Sequence, residues 1–158
     1  MLVFNIIPTK KTVAWLKANG LNICAMQYAL TMLYSDIKPC RRVKKKTIML
    51  QIDYKSGSSA YTFGTNKIFI CSDPYMRSHS KRQKKFIIFL HFLHEFRHWM
   101  QSQVFKVRDS QIKYTQEDVD NNTNRYKNNR FEKDAAKFEK QYVRKYIRYY
   151  KEYLISYL

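Results

Sequence analysis

The chain has 158 residues, of which 45% are hydrophobic and 16% aromatic, so its composition excludes a disordered protein and permits one domain with a buried core. Its three glycines and three prolines are too few for a many-turned β-sandwich and favour long regular elements. The formal net charge of +18 favours polyanionic partners, such as nucleic acid, an anionic membrane surface or an acidic protein. An AT-rich genome, which enriches a protein in Lys, Asn, Ile and Tyr, is an equally good explanation of that charge.

The first elements along the chain are predicted to be helices. Apolar residues recur at helical spacing over residues 9–35. Gly20 is expected to divide this segment into two helices, and Asn22 is available as the cap of the second. Two or three antiparallel strands are expected next, at about residues 47–71, where β-branched and apolar residues alternate with the turn sequences KSGSSA and GTN.

The second half of the chain is predicted to hold two long helices joined by a polar loop. Residues 83–105 have apolar side chains around most of the helix circumference, which indicates a buried helix. Residues 106–130 are polar and rich in Asn, so we expect a loop there, with a short helix near QEDVD. Residues 131–158 contain no Gly or Pro and predict one long helix. The element order therefore predicts a single α+β domain, residues 1–158.

The setting of the protein is predicted from its cysteines and its N-terminus. Cys24, Cys40 and Cys71 are odd in number and have no CxxC spacing, which is typical of reduced intracellular thiols. The start, MLVFNIIPTKK, has its apolar run before its positive charges, which is the wrong order for a signal peptide. No stretch reaches the roughly 20 apolar residues of a membrane span. We expect a soluble intracellular protein that could also associate with a virion.

The stretch HEFRH at residues 94–98 has the spacing of a catalytic zinc motif. Residues four apart on a helix share one face, so His94 and His98 would present two imidazoles to one metal ion. Glu95 lies on the same flank, where it could accept a proton from a metal-activated water. The structural alternative is that these histidines only pack within a core helix.

A catalytic zinc site needs a third protein ligand, and the sequence restricts its identity. No histidine follows His98, so the third ligand is either His79 or His91 upstream or a carboxylate. The carboxylate candidates are Asp109, Glu117, Asp118, Asp120, Glu132, Asp134, Glu139 and Glu152. Glu132 is distinguished by opening a helix after a long loop, with Ala135 and Ala136 one turn later to allow close helix packing. Acidic residues at a helix N-terminus also serve the helix dipole, which is the structural alternative for Glu132.

HEFRHWMQ followed by NNRFEKDAAKF resembles the gluzincin metallopeptidases, especially small "minigluzincin" domains of prokaryotes and viruses. The resemblance covers about residues 47–140. It implies a zincin-like fold in which His94, His98 and Glu132 bind Zn²⁺ and Glu95 acts as general base. It also implies that a strand within residues 61–71 offers its edge to an extended peptide substrate.

Gluzincins usually add a Tyr or His that stabilises the oxyanion of the reaction. Tyr126, six residues before Glu132, is the candidate by position, and Tyr114, Tyr142 and His79 are alternatives. Asp134 is a candidate for orienting a ligand imidazole, although on an ideal helix it points away from Glu132.

The competing hypothesis is a basic nucleic-acid-binding or virion-associated protein with a structural or inactive metal site. Its support is the basic run RRVKKK at 41–46, the run KRQKK at 81–85 and the Tyr- and Lys/Arg-rich terminal helix. The structural alternative is a helix that packs its aromatic residues inward and leaves its cations in solvent.

Overall fold

The computed structural model describes residues 4–37, 46–53, 59–62, 64–71 and 80–157, which form a mostly helical α+β fold. In chain order the elements are β1 (Phe4–Pro8), α1 (Lys10–Ala18), α2 (Ile23–Ile37), β2 (Lys46–Asp53), β3 (Ala60–Tyr61), β4 (Lys67–Cys71), α3 (Lys81–Gln103), a 3₁₀ turn (Asp109–Gln111), α4 (Gln116–Asp120), α5 (Asn124–Lys127) and α6 (Arg130–Tyr157). The α+β class is confirmed.

The helices follow local sequence signals closely. Gly20 separates α1 from α2 at a φ of +67°, a conformation that glycine adopts without a steric penalty. The Asn22 side chain accepts a hydrogen bond from the Ala25 N–H at 3.0 Å and so caps α2. Ser80 and Gln83 form a capping box at the start of α3. The predicted helices are present within about two residues of their expected bounds, as is the short helix near QEDVD, whereas α5 lies in a segment that was predicted to be a loop.

The sheet is mixed, so the prediction of an antiparallel sheet is wrong. Its strand order is β1-β2-β4-β3; β2 runs parallel to both neighbours, and only β3 and β4 are antiparallel. The chain passes from β2 to the far edge of the sheet, forms β3 there, and turns at Gly64 to place β4 beside β2. Turn sequences predict reversals of direction, but they do not reveal that a strand has been inserted between two others.

The N-terminal strand β1 is an element that the sequence analysis missed. Its partner β2 lies about 40 residues later in the chain, with register pairs such as Phe4 with Lys46 and Ile6 with Ile48. Phe4 and Ile6 are buried while Ile7 is exposed, so the strand alternates as a sheet requires. A five-residue segment is too short for such alternation to stand out, and its pairing depends on distant residues.

The core lies between one face of the sheet and the helices α2, α3 and α6. The strands contribute Phe4, Ile6, Ile48, Leu50, Ile68 and Ile70. From α3, Phe92, Phe96 and Trp99 are completely buried, each stabilising the fold by roughly 1.5–3 kcal/mol or more through burial. This burial confirms that α3 is a core helix and holds its polar residues rigidly.

Two further predictions concern cysteines and membranes. Cys24 is an exposed free thiol, Cys71 is buried, and Cys40 lies outside the described residues. Among the helices in the described ranges, none combines the length and the hydrophobicity needed to cross a bilayer.

Candidate metal centre

The motif residues lie where α3 passes the beginning of α6. The two helices run antiparallel, since His94 contacts Glu139 near the start of α6 while Phe89 contacts Tyr150 near its end. Glu132 lies in the first turn of α6 and is 6% exposed. One turn later Ala135 is completely buried, and its small side chain permits the close approach of the two helices.

Three potential ligand atoms converge on one point. His94 Nε2 and His98 Nε2 are 3.2 Å apart. His94 Nε2 lies 3.2 Å from Glu132 Oε2, and His98 Nε2 lies 3.2 Å from Glu132 Oε1. Tetrahedral zinc with bonds of about 2.0–2.1 Å separates its ligand atoms by about 3.3 Å. The separation of the two nitrogens therefore matches one edge of a zinc coordination tetrahedron, and the ligand atoms of the three residues all lie within 4.8 Å of one another.

The far ring nitrogens of the two histidines are held by hydrogen-bond acceptors. His94 Nδ1 lies 2.9 Å from Glu139 Oε2, and His98 Nδ1 lies 2.8 Å from Gln101 Oε1. A carboxylate or amide oxygen accepts a hydrogen bond, so each Nδ1 carries the proton that is donated. When such a ring is neutral, its Nε2 lone pair is therefore directed at the common point, as metal ligation requires.

Gln101 is a functional residue that the sequence analysis missed, and it connects His98 to Asp134. Its Nε2 donates hydrogen bonds to Asp134 Oδ2 at 2.9 Å and to the Phe131 carbonyl oxygen at 3.0 Å. Arg97 in turn donates to both Asp134 oxygens, at 2.8 and 3.1 Å. Asp134 is thus connected to His98 through Gln101. The i,i+3 spacing of His98 and Gln101 was the available signal.

The cluster carries strongly shifted pKa values because its charges are buried together. Burial lowers the pKa of His94, but hydrogen bonds to Glu132 and Glu139 outweigh it and raise that pKa to about 10. Burial also opposes the charge of Glu132, yet the hydrogen bonds from His94 and His98 hold its pKa far below the usual range. Without a metal ion, a proton supplies the positive charge that the cluster stabilises.

A cavity of about 550 Å³ opens onto the cluster. Its wall includes Glu95, whose pKa is raised by burial. The opposite wall is the short strand β3, Ala60–Tyr61, at the edge of the sheet. Among the described strands the edge beside the cavity is therefore β3, of which only Tyr61 falls in the range 61–71 expected for it, whereas β4, which lies wholly within that range, is internal.

Two tyrosines also line this cavity. The Tyr114 hydroxyl donates a hydrogen bond to Glu132 Oε1, and the Tyr126 ring packs edge-on against Tyr114 with ring centroids 5.2 Å apart. Burial and the charge of Glu132 raise the pKa of Tyr126, so its phenol stays protonated and able to donate at neutral pH. Tyr142 packs against Phe138 and is absent from the cavity wall. His79 lies outside the described residues.

The remaining candidate ligands lie elsewhere. His91 is half-buried, with its Nδ1 3.4 Å from Ser59 Oγ. Asp109 is exposed at the cavity wall. Other carboxylates belong to α4 or to helix-surface ion pairs: Glu117, Asp118, Asp120 and Glu152. Within the described ranges, His94, His98 and Glu132 are the one group of His, Cys, Asp or Glu whose ligand atoms converge in this way.

The donor set fits zinc better than the hard cations. Two imidazoles and one carboxylate are a known ligand set of catalytic zinc, whereas Ca²⁺ and Mg²⁺ prefer oxygen ligands alone. The Nδ1 partners Glu139 and Gln101 supply the outer hydrogen bonds that orient such ligands. The residues present therefore fit a zinc ion.

The basic runs are only partly described. Residues 41–45 of the first run lie outside the described residues, so its place relative to the other cations stays a prediction. The run 81–85 opens α3 and lies beside the C-terminal half of α6, where Arg144 and Lys151 are exposed. Nucleic-acid binding stays a prediction.

Comparison with known proteins gives no relative for this chain: no family model, no curated protein and no solved structure matches it. The resemblance to gluzincins stays a prediction that is based on His94, Glu95, His98 and Glu132.

Proposed function

We propose that this protein is a zinc-dependent metallopeptidase of the gluzincin type, with His94, His98 and Glu132 as ligands. The observation that supports the proposal is the convergence of three ligand groups beside a cavity that Glu95 also lines: the two Nε2 atoms are 3.2 Å apart, and each lies 3.2 Å from a different oxygen of the Glu132 carboxylate. Two histidines that only pack in the core would satisfy the HExxH spacing. They would not need a buried carboxylate in contact with both rings, or a cavity that opens onto them.

Zinc in such a site supplies a Lewis acid that lowers the pKa of a bound water and polarises a carbonyl oxygen. Glu95 is the general base: its carboxylate accepts a proton from the attacking water and later donates it to the nitrogen of the departing amine. Burial favours the protonated form of Glu95, and the nearby histidines favour the ionised form, so the group is suited to a proton shuttle. Tyr126 is the proposed donor to the oxyanion.

The substrate is proposed to be an extended peptide. The β3 edge, Ala60–Tyr61, offers backbone hydrogen-bonding groups along one cavity wall, and a substrate strand can pair with it. Ile112, Val119 and Phe69 give the cavity apolar surface for a substrate side chain. This arrangement would fix the scissile bond beside Glu95 with little dependence on sequence, since backbone pairing supplies the affinity.

The first experiment measures zinc per chain by elemental mass spectrometry on untagged protein. We expect about one zinc per chain in the wild type and clear loss in Glu132→Ala, because a buried ligand is removed. Glu152→Ala on the same helix is the matched control, since Glu152 contacts only Arg148 among the ion pairs of the described residues. It should retain zinc fully.

Turnover is then measured on a fluorogenic peptide library with the zinc-loaded protein. Cleavage that stops on chelation and returns with zinc would support a peptidase. Stoichiometric zinc with no cleavage of any peptide would instead indicate a structural or inactive site. No zinc in the wild type, even after zinc is added, would reject the metal site itself.

A further inference from the structure

A second and larger cavity lies at the other end of the α3–α6 pair. It is a groove of about 880 Å³ between the N-terminal half of α3 and the C-terminal half of α6. Its floor is apolar and includes Phe86, Ile87, Ile147 and Leu154. Phe86 is 39% exposed, which is unusual for a phenylalanine that no partner covers. The groove is separate from the metal centre, which lies at residues 94–98 of α3.

Cations stand on both sides of this apolar floor. They are Lys81, Arg82 and Lys85 on α3, and Arg144 and Lys151 on α6. None of the lining residues within the described ranges is acidic, and Arg144 and Lys151 form no ion pair with the residues described. The groove therefore combines an apolar centre with two positively charged edges.

The dimensions of the groove match a helix. At about 1.5 Å per residue, the lining residues extend about 12 Å along α3 and about 15 Å along α6. Two antiparallel helices leave a groove in which a third helix can pack at about 8–10 Å from each axis. About three turns of a partner helix would fill the groove between α3 and α6.

The cationic edges and the apolar floor of the groove together determine which kind of helix would bind there. An apolar stripe on the partner would cover Phe86, Ile147 and Leu154, and acidic residues on either side of the stripe would face the two cationic edges. Coiled coils use the same arrangement at the positions that flank their apolar seam. A nucleic acid would satisfy the cations but has no aliphatic surface to cover the floor.

We propose that this groove is a docking site for an acidic amphipathic helix of a partner protein. The site is independent of the metal centre and of the proposed peptidase activity. Its small area, compared with the roughly 800 Å² per partner of a stable complex, makes the contact weak and reversible. Such a contact would bring a partner protein to this end of the helix pair.

The probe is a fluorescein-labelled synthetic peptide of three heptads, with Leu at the two apolar positions and Glu at the two flanking positions. Fluorescence anisotropy measures its affinity for the full-length protein at about 0.15 M salt. The matched control peptide has the same composition, rearranged so that no apolar stripe forms. We expect the patterned peptide to bind at least about ten-fold more tightly than the rearranged one.

Two variants test the location of the site. Arg144→Glu with Lys151→Glu should weaken binding at least about ten-fold, because it reverses one edge. Lys133→Glu with Lys137→Glu changes the net charge of the same helix equally, at exposed positions outside the groove, and should change binding less than about two-fold. Phe86→Ser tests the apolar floor. This variant should lose affinity for the patterned peptide and not for the rearranged peptide.

Three results would overturn the proposal: no binding of the patterned peptide, equal binding of both peptides, or equal weakening by both charge-reversal pairs. A mixed-sequence DNA duplex is measured in parallel. If the duplex binds and loses affinity in Arg144→Glu with Lys151→Glu while the peptide does not bind, the groove edge is a nucleic-acid surface instead.

Discussion

The two ends of the α3–α6 pair differ in the burial and pairing of their charged side chains. At the metal-centre end, charged groups are largely buried and meet specific partners, as in the pairing of Glu132 with His94 and His98. At the groove end, Arg144 and Lys151 are exposed beside an apolar floor. Buried, fully paired charges impose one geometry, whereas exposed charges exert a field that many geometries satisfy. One helix pair thus supports a site built for chemistry and a surface suited to association.

The largest expected effect concerns the general base. Glu95→Gln should reduce peptide turnover by about 10²–10⁴-fold and leave zinc content unchanged, because the amide cannot accept the proton. Turnover by the zinc-loaded variant and its zinc content are measured together. Glu117→Gln, at an exposed position of α4, is the matched control and should keep full activity. Full turnover by Glu95→Gln would refute the assigned role.

The next effect tests the hydrogen bonds behind the ligands. Glu139→Ala removes the acceptor of His94 Nδ1, so the ring loses its fixed orientation and we expect zinc affinity to fall about 10–100-fold. Competition with a chromogenic chelator measures the zinc Kd. Glu152→Ala is again the control. An unchanged Kd in Glu139→Ala would mean that packing alone orients His94.

Local spacing revealed the part of this centre that lies on one helix, but not the part that depends on the packing of two. His94, Glu95 and His98 follow from the helical repeat. Glu132 was distinguished from the other carboxylates by opening a helix after a long loop, but only the resemblance implied that it binds the metal. Glu139 was an open candidate whose role in orienting His94 needs contact between residues 45 apart in the chain.

The same distinction explains the fold. The helices were predicted because caps, glycines and periodicity act within a few residues. The parallel pairing of β1 and β2 was not predicted, since it joins Phe4 to Lys46 across two helices. The groove was missed for the same reason: the run 81–85 and the cations of α6 were both noted, but only the packing of α3 on α6 brings them to one furrow.

Salt should separate the two ends of the helix pair. Between about 0.05 and 0.5 M salt we expect the affinity of the acidic helical peptide for the groove to fall about ten-fold, because exposed charges are screened. The zinc Kd should change less than about two-fold over the same range, because the ligand cluster is buried. Both are measured on the same protein with a monovalent salt. A peptide affinity that does not respond to salt would mean that the apolar floor alone carries binding.

The smallest effect concerns the pH dependence of stability in the metal-free protein. The pKa of His94 is raised from its ordinary value of 6.5 to about 10, so its contribution is fully present below pH 6.5 and is lost as pH rises toward 10. We expect the Tm of the metal-free protein to fall by about 4–8 °C between those limits, a loss on the order of 2 kcal/mol.

Zinc should remove that pH dependence. In the zinc-bound protein His94 is a neutral ligand with no proton to lose over this range, so its Tm should fall less. Calorimetric scans of both forms across the range give the comparison, because ionisations outside the cluster affect both forms alike. An equal fall of Tm in the two forms would show that zinc does not displace a stabilising proton from His94. The charged groups at the two ends of the helix pair would then differ only in how deeply they are buried.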